Sequence, residues 1–104
     1  MSAAGNEAGN EAAENVRVQR NAAAGRFEIL VDDVVAGYAD YGDSGGVRTF
    51  PHTVVAEEFG GRGLAGQMVG EALRITSEEG LRVRPACSFV ERYVEKNPGS
   101  AELA

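Results

Sequence analysis

Between Phe59 and Val69 the chain reads FGGRGLAGQMV, with four glycines in eleven residues, and helical periodicity begins directly inside it. No other stretch constrains the fold as tightly, because glycine enters left-handed backbone regions that other residues avoid. Gly61 and Gly63 let the backbone turn with its amides pointing inward. Leu64 and Ala65 then open a helix whose first N–H groups have no partners within the helix. Those amides and the positive end of the helix dipole make an anion site suited to a pyrophosphate. Arg62 adds a charge-assisted contact. The plain alternative is a glycine-rich turn that binds nothing.

The run Gly61-x-Gly63-x-x-Gly66 spells a dinucleotide-binding fingerprint, but its surroundings exclude that use. Such a fingerprint follows a strand directly and needs an acidic residue about 20 positions onward. Here AEEFGG separates the glycines from the strand ending near Val55, and the next strand carries arginines. A P-loop needs Gly-Lys-Ser/Thr, yet Lys96 is the chain's sole lysine.

Strand periodicity comes first along the chain. Val16 and Val18 alternate with polar residues up to the NAAAG turn. Phe27, Ile29 and Val31 form a second strand, Asp32-Asp33 a tight turn, and Val34 to Tyr41 the hairpin partner. GDSGG at Gly42–Gly46 reads as a second turn before a strand over Val47 to Val55. Pro51 inside that strand belongs at an edge, or where two strands part, because it cannot donate to a ladder. Leu64 to Glu79 has helical spacing and is closed by Gly80. A strand over Arg82 to Ala86 and a helix over Ser88 to Lys96 follow. The order β-β-β-β-α-β-α predicts an α+β (α/β) fold, a mixed, mainly antiparallel sheet flanked by two helices.

Composition narrows the function. The 104 residues, 43% hydrophobic and 25% charged, suit one small globular domain. A net charge of −6 argues against nucleic acid, whose phosphates need clustered Lys and Arg. One cysteine and one histidine leave no disulfide and no basis for a metal site. Residues 1–15 are poor in large apolar side chains and read as a disordered tail, not a signal peptide. No run is long enough to span a membrane, so a cytoplasmic protein is expected. Residues 16–99 make the domain and residues 100–104 a C-terminal tail.

Taken together, the loop, the ordered elements and four fragments resemble the GNAT superfamily of N-acetyltransferases. The signature Arg/Gln-x-x-Gly-x-Gly/Ala falls on Gly60 to Ala65, where Gly63 and Ala65 fit and Gly60 replaces the leading residue. RFEILVDDVVAGYADY, TFPHT, GRGLA and PACSFVERYVEKNP, spread over Arg26 to Pro98, occur in the order found in small, stand-alone GNAT-like proteins. The resemblance implies acetyl-CoA as cofactor and an amine, on a small molecule or a protein, as acceptor. It implies that the strand through His52 and the strand ending at Ala86 splay apart around the pantetheine arm. Val54 and Val55 would pair with that arm, and Gly61, Arg62, Gly63, Leu64 and Ala65 would hold the pyrophosphate. His52, Cys87 and Tyr93 are its catalytic candidates.

The chemistry of those three residues can be weighed separately. Acetyl transfer needs a neutral amine, a stabilised oxyanion and a proton for the departing thiolate. His52, the sole histidine, is the natural base, and alternation places it on one face with Phe50 and Val54. Cys87 has three readings: a small packed hydrophobe, a nucleophile assisted by His52, or a neighbour of the thioester during direct attack. Tyr93 either donates the proton or packs beside Phe89 and Val90. Asp40 and Tyr41 are candidates for the acceptor side, and Glu57-Glu58 for a solvated turn. The rival functions are a non-catalytic acyl-CoA-binding or interaction module and a purely structural domain. The sequence sets neither the identity of the amine nor an oligomeric state.

Overall fold

The computed structural model describes residues 14–104. The disorder expected at the start of the chain therefore lies, over residues 1–13, outside the described residues. Asn15, read with that tail, is tied to the sheet. Its amide donates to the Asp32 carboxylate at 3.0 Å, and the Asp32 amide donates to its carbonyl at 2.9 Å.

β1 (Val16–Asn21), β2 (Arg26–Val31) and β3 (Val34–Asp40) form an antiparallel meander. Asp32 and Asp33 turn the second hairpin with φ of 50° and 68°, the left-handed pair that a two-residue connection matching the strand twist requires. Phe27, Ile29 and Val31 alternate onto one face of β2 and are sealed from water. Helix α1 (Leu64–Glu78) packs against that side of the sheet through Leu64, Met68, Val69, Ala72 and Leu73.

The strand expected over 47–55 is divided. Its first half, β5 (Val47–Thr49), lies between β4 (Gly42–Ser44) and β7 (Arg82–Arg84), antiparallel to the former and parallel to the latter. Its second half, β6 (Thr53–Val55), joins β3 instead and completes a four-stranded sheet in the order β1-β2-β3-β6. Pro51 sits at the break, where a residue without an N–H can continue neither ladder. Before it, the Phe50 amide donates to Arg84 at 3.0 Å; after it, the Asp40 amide donates to the His52 carbonyl at 3.0 Å. Two boundaries also differ from the sequence reading. Gly42–Ser44 is a short strand and the turn contracts to Gly45 and Gly46 (φ 58° and 78°). β7 stops at Arg84 because Pro85 follows.

Helix α2 (Ser88–Lys96) closes the fold beside α1. The segment after it, read from the sequence as a tail, returns along β7. The Val83 amide donates to Glu102 at 2.8 Å and the Ala104 amide to Val83 at 2.9 Å, forming a parallel bridge of Val83 with Leu103.

A buried arginine joins the two sheets. The Arg48 side chain is only 3% exposed. Its Nε and Nη2 donate to both Asp43 oxygens at 2.7 and 2.8 Å, and Nη1 donates to Thr76 Oγ1 at 3.1 Å. Nη2 also lies 2.9 Å from Glu79 Oε1, and Arg20 grips both Glu79 oxygens at 2.8 Å from β1. The guanidinium sits 4.6 Å over the Tyr41 ring. The Asp43 carboxyl is held below its ordinary pKa of 3.8, chiefly by the Arg48 hydrogen bond, and that of Glu79 below 4.5, chiefly by the Arg20 hydrogen bond.

A carboxyl made more acidic by folding contributes stability that is present above its unfolded value and lost as pH falls through its folded one. Stability should therefore fall from pH 4.5 downward. In Asp43→Asn, the urea midpoint should be lower at pH 7 and should converge on the wild-type value as the pH is lowered. Gly37 gives a second prediction. A Cβ there would lie 2.6 Å from the Val54 carbonyl oxygen, a backbone atom that cannot swing aside. Gly37→Ala should cost about 1–3 kcal/mol, read from urea unfolding, by forcing β6 away from β3.

Candidate functional site

The division of the strand at Pro51 opens a gap. On one side stands β6, whose outer edge pairs with no other strand among the described residues. On the other, the Cys87 amide donates to the Phe50 carbonyl at 2.9 Å, the last bond before the two chains separate. The gap leads into a cleft of about 380 Å³ lined by Val55, Phe59, Phe89 and the glycine loop from Gly60 to Gly66.

The loop has the conformation that its glycines anticipate. Gly61 and Gly63 have φ of 76° and 73°, and Gly63 caps α1. An added Cβ at Gly61, Gly63 or Gly66 would meet no atom within 4 Å, so the space in front of the loop is open. Among the described residues, none of the amides of residues 61–66 donates to a protein acceptor. These free donors at the positive end of a helix are the chemistry that holds a pyrophosphate. Arg62 stacks 5.7 Å from the Phe59 ring centroid, and its guanidinium is paired with Glu14. Gly61, Arg62, Gly63, Leu64, Ala65 and Val55 thus line one cleft, whereas the Val54 side chain lines a separate groove with Tyr38 and Val35.

The catalytic candidates are distributed differently from the sequence expectation. Val54 stands opposite Tyr38, and His52 Nδ1 lies 3.4 Å from Asp40 Oδ2. His52 therefore shares a face with Val54, Tyr38 and Asp40, on the side of the sheet away from α1. Phe50, expected on that face, is instead 1% exposed and belongs to the core. The break at Pro51 resets the alternation. Thr53 points the opposite way from His52, as successive strand residues do, and meets Cys87, whose Sγ donates to Thr53 Oγ1 at 3.5 Å. Among the described residues no hydrogen bond or ion pair joins His52 to Cys87.

Cys87 caps α2 from extended backbone (φ −92°, ψ 135°). Burial opposes ionisation of the thiol. The Thr53 hydroxyl and the amides of Val90, Phe89 and Thr53 outweigh it, so the thiol is held below its ordinary value. Helix N-termini lower thiol pKa values in this way. Tyr93 lies one turn beyond Phe89, and its hydroxyl rests where a Cβ at Gly70 would stand, 2.6 Å away. It borders two further clefts rather than the glycine cleft.

A family model described as GCN5-related N-acetyl-transferase matches residues 26–103, three-quarters of the chain. The chain belongs to this family. The GCN5-related N-acetyl-transferase fold accounts for the mixed architecture and the two helices, and acyl transfer is the chemistry of the family. The chain is also 36% identical over 47 residues to Protein NATD1 of Xenopus tropicalis, Gallus gallus and Homo sapiens. The aligned region is 45% of this chain and 42–43% of those relatives. Among the described residues no helix is long and apolar enough to cross a membrane, and no cluster of His, Cys, Asp and Glu forms a metal site.

Sequence reasoning passed over Thr53 and Phe59, which stand beside His52 and the glycine loop, and took Phe89 only as a core residue. Adjacency to a motif was the available signal. Alkylation of Cys87 by iodoacetamide should follow a pH profile with its midpoint below the ordinary thiol value of 9.0. Thr53→Val should move that midpoint upward, and an unchanged profile would remove Thr53 from the account.

Proposed function

We propose that this protein is an acetyl-CoA-dependent N-acetyltransferase that acts on an amine. The observation that carries the reading is the junction of the open amide loop with the gap at Pro51. The cleft that holds the anion donors is also lined by Val55, at the end of the unpaired edge of β6, and by Phe89, two residues after Cys87. Gly61, Arg62, Gly63, Leu64 and Ala65 would hold the pyrophosphate, and the backbone of Val54 and Val55 would pair with the pantetheine arm. Bound acetyl-CoA supplies an activated acetyl thioester.

The chain's own groups handle the acceptor's proton. His52, with Asp40 beside it, takes the proton that makes the acceptor nitrogen nucleophilic. Asp40 also favours approach of a cationic amine. The leaving thiol group would regain its proton from solvent, because Tyr93 borders other clefts. The positions of His52 and Cys87 on opposite faces of β6 favour direct attack by the amine over a cysteine relay, because the base has no contact with the thiol.

Three measurements test this. Acetyl-CoA or CoA at 100 times its dissociation constant should stabilise the fold by about 2.7 kcal/mol, against no effect from NADH. Arg62→Gln should reduce that stabilisation. After incubation with acetyl-CoA, intact mass should show no acetyl adduct on the enzyme, and Cys87→Ala should keep turnover on an amine panel whereas His52→Ala loses about 100-fold or more. No thermal shift with either CoA species defeats the reading. Binding without turnover would favour a non-catalytic acyl-CoA module.

A further inference from the structure

Helix α2 carries a second concave surface that the acetyl-transfer scheme leaves unused. Phe89, Arg92, Tyr93, Lys96 and Asn97 line a groove of about 230 Å³. Their spacing, with steps of three and four residues, puts them on one stripe about 10 Å long. Phe89 also lines the glycine cleft, so the two cavities adjoin at one ring.

Four cations enter no ion pair among the described residues: Arg82 and Arg84 on β7, and Arg92 and Lys96 on this stripe. Each arginine before Arg82 enters an ion pair: Arg17, Arg20, Arg26, Arg48, Arg62 and Arg74. Arg92 and Lys96 enter none among the described residues, although Glu91 and Glu95 stand on the same helix. On a chain of net charge −6, two free cations flanking two aromatic rings make a local site for an anion joined to a flat ring. Aromatic faces stack on nucleobases, and guanidinium and ammonium groups bind phosphate. Two cations are too few for a nucleic-acid track.

We propose that this groove receives the 3′-phosphorylated adenosine end of coenzyme A, with the base against Phe89 and the 3′-phosphate between Arg92 and Lys96. The inference rests on the reading of the glycine cleft as the pyrophosphate site, because Phe89 joins the two. It makes α2 the element that distinguishes coenzyme A from its 3′-dephospho form.

Calorimetric titration with CoA and with 3′-dephospho-CoA, on wild type and on Arg92→Gln/Lys96→Gln, tests it. Wild type should prefer CoA by about tenfold, the worth of one charge-assisted contact. The double variant should bind both forms equally, with its affinity for dephospho-CoA unchanged. Equal affinities in wild type, or a preference that survives in the double variant, would overturn the assignment. Adenosine 3′,5′-bisphosphate separates this inference from the reading beneath it. Should wild type bind neither coenzyme, bisphosphate binding that the double variant loses would uphold the groove while the pyrophosphate cradle fails. Absence of bisphosphate binding in that case would overturn both. Melting curves check that the exposed substitutions leave the fold intact.

Discussion

The Arg48 guanidinium is the point through which the two sheets hold each other. It starts on β5, satisfies Asp43 across the β4 hairpin, and reaches Thr76 and Glu79 at the end of α1. Glu79 in turn is gripped by Arg20 from β1, so one buried cation links both sheets and the helix that contacts them. A buried charge is tolerated only when it is fully partnered. That demand fixes where β5 lies relative to β1 and α1, and with it the direction in which the chain arrives at Phe50. The gap at Pro51 follows from this geometry. β5 is committed to β7, while β6 is drawn to β3 by Gly37, whose missing side chain lets the two backbones approach.

The site inherits its asymmetry from that division. His52 and Thr53, neighbours at the entry to a strand only three residues long, point in opposite directions. One meets Asp40 on the outer face and the other meets Cys87 on the side of the helices. The imidazole and the thiol thus lie on opposite sides of one edge strand. A ligand lying along that edge would have the histidine on one flank and the cysteine on the other.

Much of this was legible in the residues, for reasons that are local. Glycines at 61 and 63 announce left-handed backbone, and both adopt it. The Asp32-Asp33 turn, the period of α1 and the stop at Gly80 depend on neighbours within a few positions. Pro51 marked the parting of strands because its missing N–H is a property of the residue itself. What escaped was set by distant partners. Uninterrupted alternation put Phe50 beside His52, because Pro51 marks a break without showing that the pairing partner changes from β7 to β3. Arg48 and Glu28 are charged strand residues, yet both are buried. Glu28 is held by Gln19, Asn21 and Arg26, which lie on β1 and β2, and the partners of Arg48 lie up to 31 positions away. The last residues gave no sign of strand pairing, since Val83 supplies their register from outside.

The open edge of β6 has a meaning for the life of the chain before any ligand arrives. A strand with free N–H and C=O groups is a template for pairing with another chain. Here the exposed edge is kept to three residues and is preceded by a proline, a combination that leaves little ladder for a second molecule to extend. The slot is long enough to be filled by a slender ligand, and too short to make a sheet.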